Sequence, residues 1–116
     1  MNKESVLEIL IRKMYEKIAQ EEIENVMEKT RVLLGFAPED YAINSIGTKL
    51  GECSRENIIT INPEIVKYNK KILEYVVLHE YCHIQYKNHT KGFKELIKKY
   101  MPNYEEYEMA IKEYKY

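Results

Sequence analysis

All three histidines of the chain fall between His79 and His89, in the stretch HEYCHIQYKNH, with a glutamate directly after the first. The spacing dictates a helix here. On an α-helix each residue advances about 100°, so His79 and His83 lie roughly 40° apart on one face, one turn from each other. Both imidazoles then reach a common ion. Glu80, offset by about 60° from His83, is close enough to hold a water beside that ion while staying out of its coordination shell. His89 needs a different explanation, because on an unbroken helix it would sit about 9 Å further along the axis and point elsewhere. A break is therefore predicted between Tyr86 and Asn88, where Asn88 tolerates left-handed backbone, so that the chain turns and brings His89 back as a third nitrogen donor.

Three imidazoles with one tetrahedral position open are the catalytic form of a zinc site, and zinc suits neutral nitrogen donors. His79, His83 and His89 are thus the expected ligands of one Zn2+ ion. Glu80 is the expected general base, taking a proton as water attacks a carbonyl and passing it to the leaving amine. The chemistry is metal-assisted hydrolysis, most simply of a peptide bond, with a peptide or protein as substrate. An activated water is not selective by itself, so a non-peptide bond such as a nucleotide phosphoanhydride is the alternative substrate. A further alternative is a non-catalytic, zinc-stabilised interaction module, which requires a fourth protein ligand such as Cys53 or a carboxylate.

The rest of the chain reads as an α+β domain. From Asn2 to Leu34 apolar residues recur at helical spacing, giving one long helix or two short ones. Gly35 suits the helix C-terminus and Pro38 the loop that follows. YAINSIG and NIITIN are isoleucine-rich and separated by the turn-prone GTKLGECSREN, which predicts two strands of a small antiparallel sheet. Helical text resumes from Glu64 to Tyr86 and is apolar nearly all round, so this helix is central. Thr90 is the N-cap of another helix carrying Phe93, Leu96, Ile97 and Tyr100, which Pro102 ends. Tyr107, Ala110, Ile111 and Tyr114 mark a last helix, packed or frayed.

The chain has 116 residues, enough for one core, and is read as a single domain over residues 1–116. With 18 Lys and Arg against 19 Asp and Glu, no positive field attracts phosphate backbones, and nucleic acid is not an expected partner. The N-terminal stretch carries charge throughout and shows neither a signal-peptide core nor a membrane span, so a cytoplasmic protein is expected. Cys53 and Cys82 are then free thiols, Cys82 a buried and inert one, and the absence of a CxxC pair excludes an all-cysteine zinc site. Eleven tyrosines read mostly as packing residues. Tyr86, Tyr104 and Arg55 are candidate donors to an oxyanion.

LGECSRENIITINPEI, followed by EYVVLHEYCHIQYKNHTKGFKELIKKYMPNY, resembles the YgjP-like metallopeptidase domain, a zincin-like HExxH family related to SprT-like and WLM-type metallopeptidases. The resemblance runs from Gly35 to Tyr107. It rests on the Gly-x-Cys-Ser turn before a strand ending in Asn-Pro, the Tyr-Val-Val lead into the motif, and Asn-His-Thr-x-x-Phe after it. It implies a zincin-like fold with N-terminal helix, small sheet, central HExxH helix and C-terminal helices. It also implies His79, His83 and His89 as zinc ligands, Glu80 as general base, and a sheet edge beside the central helix where an extended substrate adds as a strand. One departure stands out: Lys49-Leu50-Gly51-Glu52-Cys53 replaces the usual Arg-Trp-Gly-Ser-Cys, losing a tryptophan and adding a carboxylate. Metzincins share the histidine spacing but carry Gly where this chain has Tyr86.

Overall fold

The first helix, α1 (Val6–Leu34), is a single continuous element. Ser5 caps it by accepting from the Glu8 amide, and Gly35 ends it in left-handed backbone at φ 82°, donating to the Arg31 carbonyl. The structure, a computed structural model, describes residues 4–115, with side chains as far as Lys112. Asn2 and the side chain of Tyr114 lie outside the described residues. Three strands, β1 (Asp40–Ile43), β2 (Gly51–Cys53) and β3 (Ile58–Ile61), follow α1. A 3-10 turn (Pro63–Lys67) leads to α2 (Lys70–Gln85), α3 (Lys91–Tyr100) and α4 (Tyr104–Lys115).

Two sequence expectations are corrected here. The sheet is mixed and has three strands, in the order β1-β3-β2, with β1 parallel to β3 and β2 antiparallel to it. The supposed connector supplies the missing strand. Its segment Gly51–Cys53 pairs with Ile59–Ile61 through a turn at Ser54–Asn57, where Asn57 adopts φ 65°. This hairpin occupies one side of β3, so β1 takes the other and runs parallel. Second, helix does not run unbroken from Glu64. Asn69 interrupts it and caps α2, its side chain accepting from the Ile72 amide at 3.1 Å.

The core lies where α2 crosses the sheet and the second half of α1. Ile72, Leu73, Val76, Val77 and Leu78 of α2 are buried against Ile59 and Ile61 of β3 and Ile23, Val26 and Met27 of α1. The Tyr81 hydroxyl donates to the Met27 carbonyl at 3.1 Å and ties the two helices together. Buried Asn62 donates to the carbonyls of Gly47 and Lys49, at 3.3 and 3.0 Å, and accepts from the Glu64 amide. One side chain thus shapes the loop that delivers β2 to α2. The first half of α1 extends past this core, and Val6, Leu10 and Met14 stay exposed although they keep helical spacing. Among the described residues no helix is long and apolar enough to cross a membrane.

Candidate metal centre and active site

α2 presents His79 and His83 one turn apart, as the spacing predicts, and their ring centroids are 4.7 Å apart. The helix ends at the Tyr86 edge of the expected break, without the left-handed cap expected at Asn88. Its last residue is Gln85, Tyr86 leaves in extended backbone (φ -130°, ψ 102°), and Asn88 is not left-handed. The reason is a side-chain contact that replaces a left-handed cap: His83 Nδ1 donates to the Tyr86 carbonyl at 2.9 Å. Lys87 then anchors the departing loop to the β2–β3 turn, donating to the Ser54 carbonyl at 3.1 Å and to Asn57 Oδ1. The chain doubles back, and His89 arrives with its ring centroid 4.8 Å from that of His83 and 5.3 Å from that of His79. Thr90 caps α3 by accepting from the Phe93 amide, as expected.

The three histidines offer one donor atom each, and these atoms lie within 4.8 Å of one another. Their orientations suit a cation. His83 Nδ1 gives its proton to Tyr86, which leaves the lone pair on Nε2. His79 Nδ1 lies 3.3 Å from Glu80 Oε2, so donation to that carboxylate leaves Nε2 bare as well. His79 Nε2 and His89 Nε2 are 3.2 Å apart. Burial pushes His83 below its ordinary pKa, against the raising effect of the Tyr86 hydrogen bond, and favours the neutral, ligand form. Converging lone pairs on neutral imidazoles fit a divalent ion of the nitrogen-seeking kind.

Phe93, almost fully buried on α3, supports all three rings at once, with centroid distances of 5.1, 4.6 and 4.9 Å to His79, His83 and His89. Glu80 is only 6% exposed, an unusual burial for a carboxylate. It sits behind β2, where Gly51 lets the strand approach: a Cβ at that position would come within 3.2 Å of Glu80 Cγ and 2.8 Å of Val76 Cγ1. Among the described residues β2 pairs on one side only, with β3, and its other edge is unpaired where Gly51 packs on the glutamate.

His79, Glu80 and His89 open onto a cavity of about 250 Å³. Leu50 and Gly51 form one wall, Tyr75 and Val76 of α2 another, and α4 closes it with Ile111. α4 is packed, the Tyr107 ring centroid lying 6.4 Å from that of Tyr75. Tyr86, Tyr104 and Arg55, the oxyanion candidates, do not line this cavity. Tyr86 instead packs its ring over Gly92. Tyr75 does line the cavity and was missed, although its position one turn before His79 puts it on the same helix face. Cys82 is fully buried, and burial, with the Glu80 charge adding, pushes its thiol up to about 12. Cys53 donates to the Ser54 carbonyl at 3.6 Å, and burial raises its pKa. Among the described residues it is not part of the ligand cluster.

Solved structures that share this fold include two metallopeptidase zymogens. One is the metallopeptidase zymogen abylysin of Pyrococcus abyssi, at 21% identity and TM-score 0.67 over 77% of this chain and 90% of that one. The other is the metallopeptidase zymogen jannalysin of Methanocaldococcus jannaschii, at 21% identity and TM-score 0.68 over 79% and 88%. No curated protein matches the chain. Residues 2–114 match the YgjP-like, metallopeptidase domain, a span that takes in α1 and α4 as well as the Gly35–Tyr107 stretch identified by its motifs. The chain therefore belongs to the YgjP-like metallopeptidase family.

Proposed function

We propose that this chain is a zinc-dependent peptidase in which His79, His83 and His89 hold one zinc ion and Glu80 is the general base. The observation that carries the reading is the convergence of three imidazole nitrogens within 4.8 Å, beside a buried carboxylate. Zinc bound there supplies Lewis acidity, making a water nucleophilic near neutral pH and polarising a carbonyl. The chain's own residues do the rest. Glu80 accepts the proton of the attacking water and returns it to the leaving amine. Its low exposure keeps competing water away and strengthens its electrostatics. The Tyr86 carbonyl and Phe93 hold the imidazoles in orientation. The free edge of β2 suits an extended peptide, whose main chain would pair with the strand. The proposal includes a cytoplasmic location, with which two free thiols are in keeping.

A family whose name implies a catalytic metal and a peptide bond makes this reading the first to test. Wild type and Glu80→Gln, at equal measured zinc content, are incubated with a mixed peptide library and cleavage is read by mass spectrometry. Loss of the base should slow cleavage by about 10² to 10⁴. Equal cleavage by both proteins removes Glu80 from the mechanism.

A further inference from the structure

The cavity beside Glu80 has a feature that water activation and metal binding leave unused. Glu108 of α4 lines it, half-buried, and among the described residues makes no hydrogen bond or ion pair. Burial raises the pKa of the Tyr75 hydroxyl, and the Glu108 charge, followed by that of Glu80, adds to the rise. Leu50, Val76 and Ile111 give the same cavity an apolar wall, and Glu80, His79 and His89 line it as well. Lys112, one turn further along α4, also borders the cavity, but it is exposed and does not pair with Glu108. Lys112 is therefore surrounded by water, whereas Glu108 is half-buried at the cavity wall.

We infer that Glu108 is a specificity-determining residue that makes this cavity a receptor for a lysine or arginine side chain of the substrate, next to the bond that is cut. The assignment rests on the peptidase reading. An extended chain along β2 alternates its side chains on two sides, so one residue flanking the scissile bond is directed into the space between β2 and α4. A lysine or arginine matches the lining in both of its parts. Its methylene stem lies on Leu50, Val76 and Ile111, and its cationic tip meets the free carboxylate. An acidic side chain placed there leaves two carboxylates facing each other in a partly desolvated space.

The test uses one peptide scaffold carrying Lys, norleucine or Glu at each position flanking the cleaved bond, with two readouts. In binding, measured by fluorescence anisotropy on the zinc-loaded Glu80→Gln protein, the Lys peptide should bind about tenfold tighter than the Glu peptide at low salt. The preference should shrink as salt rises and disappear in Glu80→Gln/Glu108→Gln. In cleavage by the otherwise wild-type enzyme, Glu108→Gln should lose the Lys preference and leave the norleucine peptide within about twofold, and Glu108→Asp should keep it. Equal binding of all three peptides, or a preference that survives Glu108→Gln, overturns the assignment. If wild type cleaves none of them while the binding preference is present, the cavity still receives a basic side chain, but the peptidase reading falls and the role of Glu108 in cleavage specificity falls with it. If it cleaves all three without regard to charge, the peptidase reading stands and Glu108 has no such role.

Discussion

Gly51→Ala probes the contact on which Glu80's position depends. The backbone at Gly51 is not left-handed, since the positive-φ glycines are Gly35 and Gly47, so the substitution acts through space alone. The added methyl would lie 2.8 Å from Val76 Cγ1, 3.2 Å from Glu80 Cγ and 3.3 Å from Glu80 Oε2. Comfortable carbon contacts are about 3.5–4.0 Å, so β2 and α2 must part by roughly 0.7 Å at Val76. A helical valine is stiff at χ1 and cannot turn aside, and the carboxylate moves with the helix or rotates away. Overpacking of this size costs about 1–3 kcal/mol, which lowers the melting temperature by several degrees. The larger effect falls on chemistry. With Glu80 as the proposed base, a misplacement of about 1 Å costs on the order of 10²-fold, so kcat/KM on a cleaved peptide should fall by about 10- to 100-fold. Zinc affinity, measured by chelator competition, should change far less, because the three atoms nearest the added methyl belong to Val76 and Glu80 and to none of the proposed ligands. Gly47→Ala is the control: at φ 69° with open space around it, it should cost about 1 kcal/mol of stability and leave kcat/KM unchanged. Wild-type activity in correctly folded Gly51→Ala would refute the claim that strand and glutamate are packed to fit.

Two other outcomes follow from the same geometry. Phe93→Ala removes the ring that supports all three imidazoles and should cost about 3–5 kcal/mol in a denaturant melt. The milder Phe93→Leu should keep the fold and weaken zinc binding by about 10- to 100-fold in chelator titration; unchanged affinity would mean that the rings need no support. Cys82, held at about 12 by burial, has a folded pKa above its unfolded one, so its stabilising contribution is complete below about pH 8.5 and is lost as pH rises toward 12. Tyr81, also raised to about 12 by burial, adds to the same slope. Thermal melts from pH 8 to 11 should therefore show falling stability that Cys82→Ala makes shallower, and iodoacetamide should label Cys82 only after unfolding.

The helices were legible because their signals are local. Gly35 at the end of α1, Thr90 at the start of α3 and the 79/83 pair on α2 each act within one turn of themselves. The strand Gly51–Cys53 was not legible, because Gly-Glu-Cys has neither alternation nor β-branched residues, and its role comes from lying between β3 and Glu80. Missing it also reversed the direction assigned to the β1–β3 pair. The exit from α2 was placed at Asn88 on backbone preference, whereas a long-range fit decided it: the His83 ring on the Tyr86 carbonyl, and Lys87 on a turn 30 residues earlier. The approach of His89 could be inferred from need, but not the route it takes. α4 carried a packing signal at Tyr107 and Ile111, and nothing local tells that the same helix brings Glu108 to the cavity.

The most direct test of the proposed centre is X-ray absorption at the zinc edge of protein carrying one equivalent of zinc. Three imidazole nitrogens and one oxygen at about 2.0–2.1 Å are expected, with no sulfur neighbour. A sulfur at about 2.3 Å, or fewer than three imidazoles, would contradict an open three-histidine site and point instead to a closed structural one.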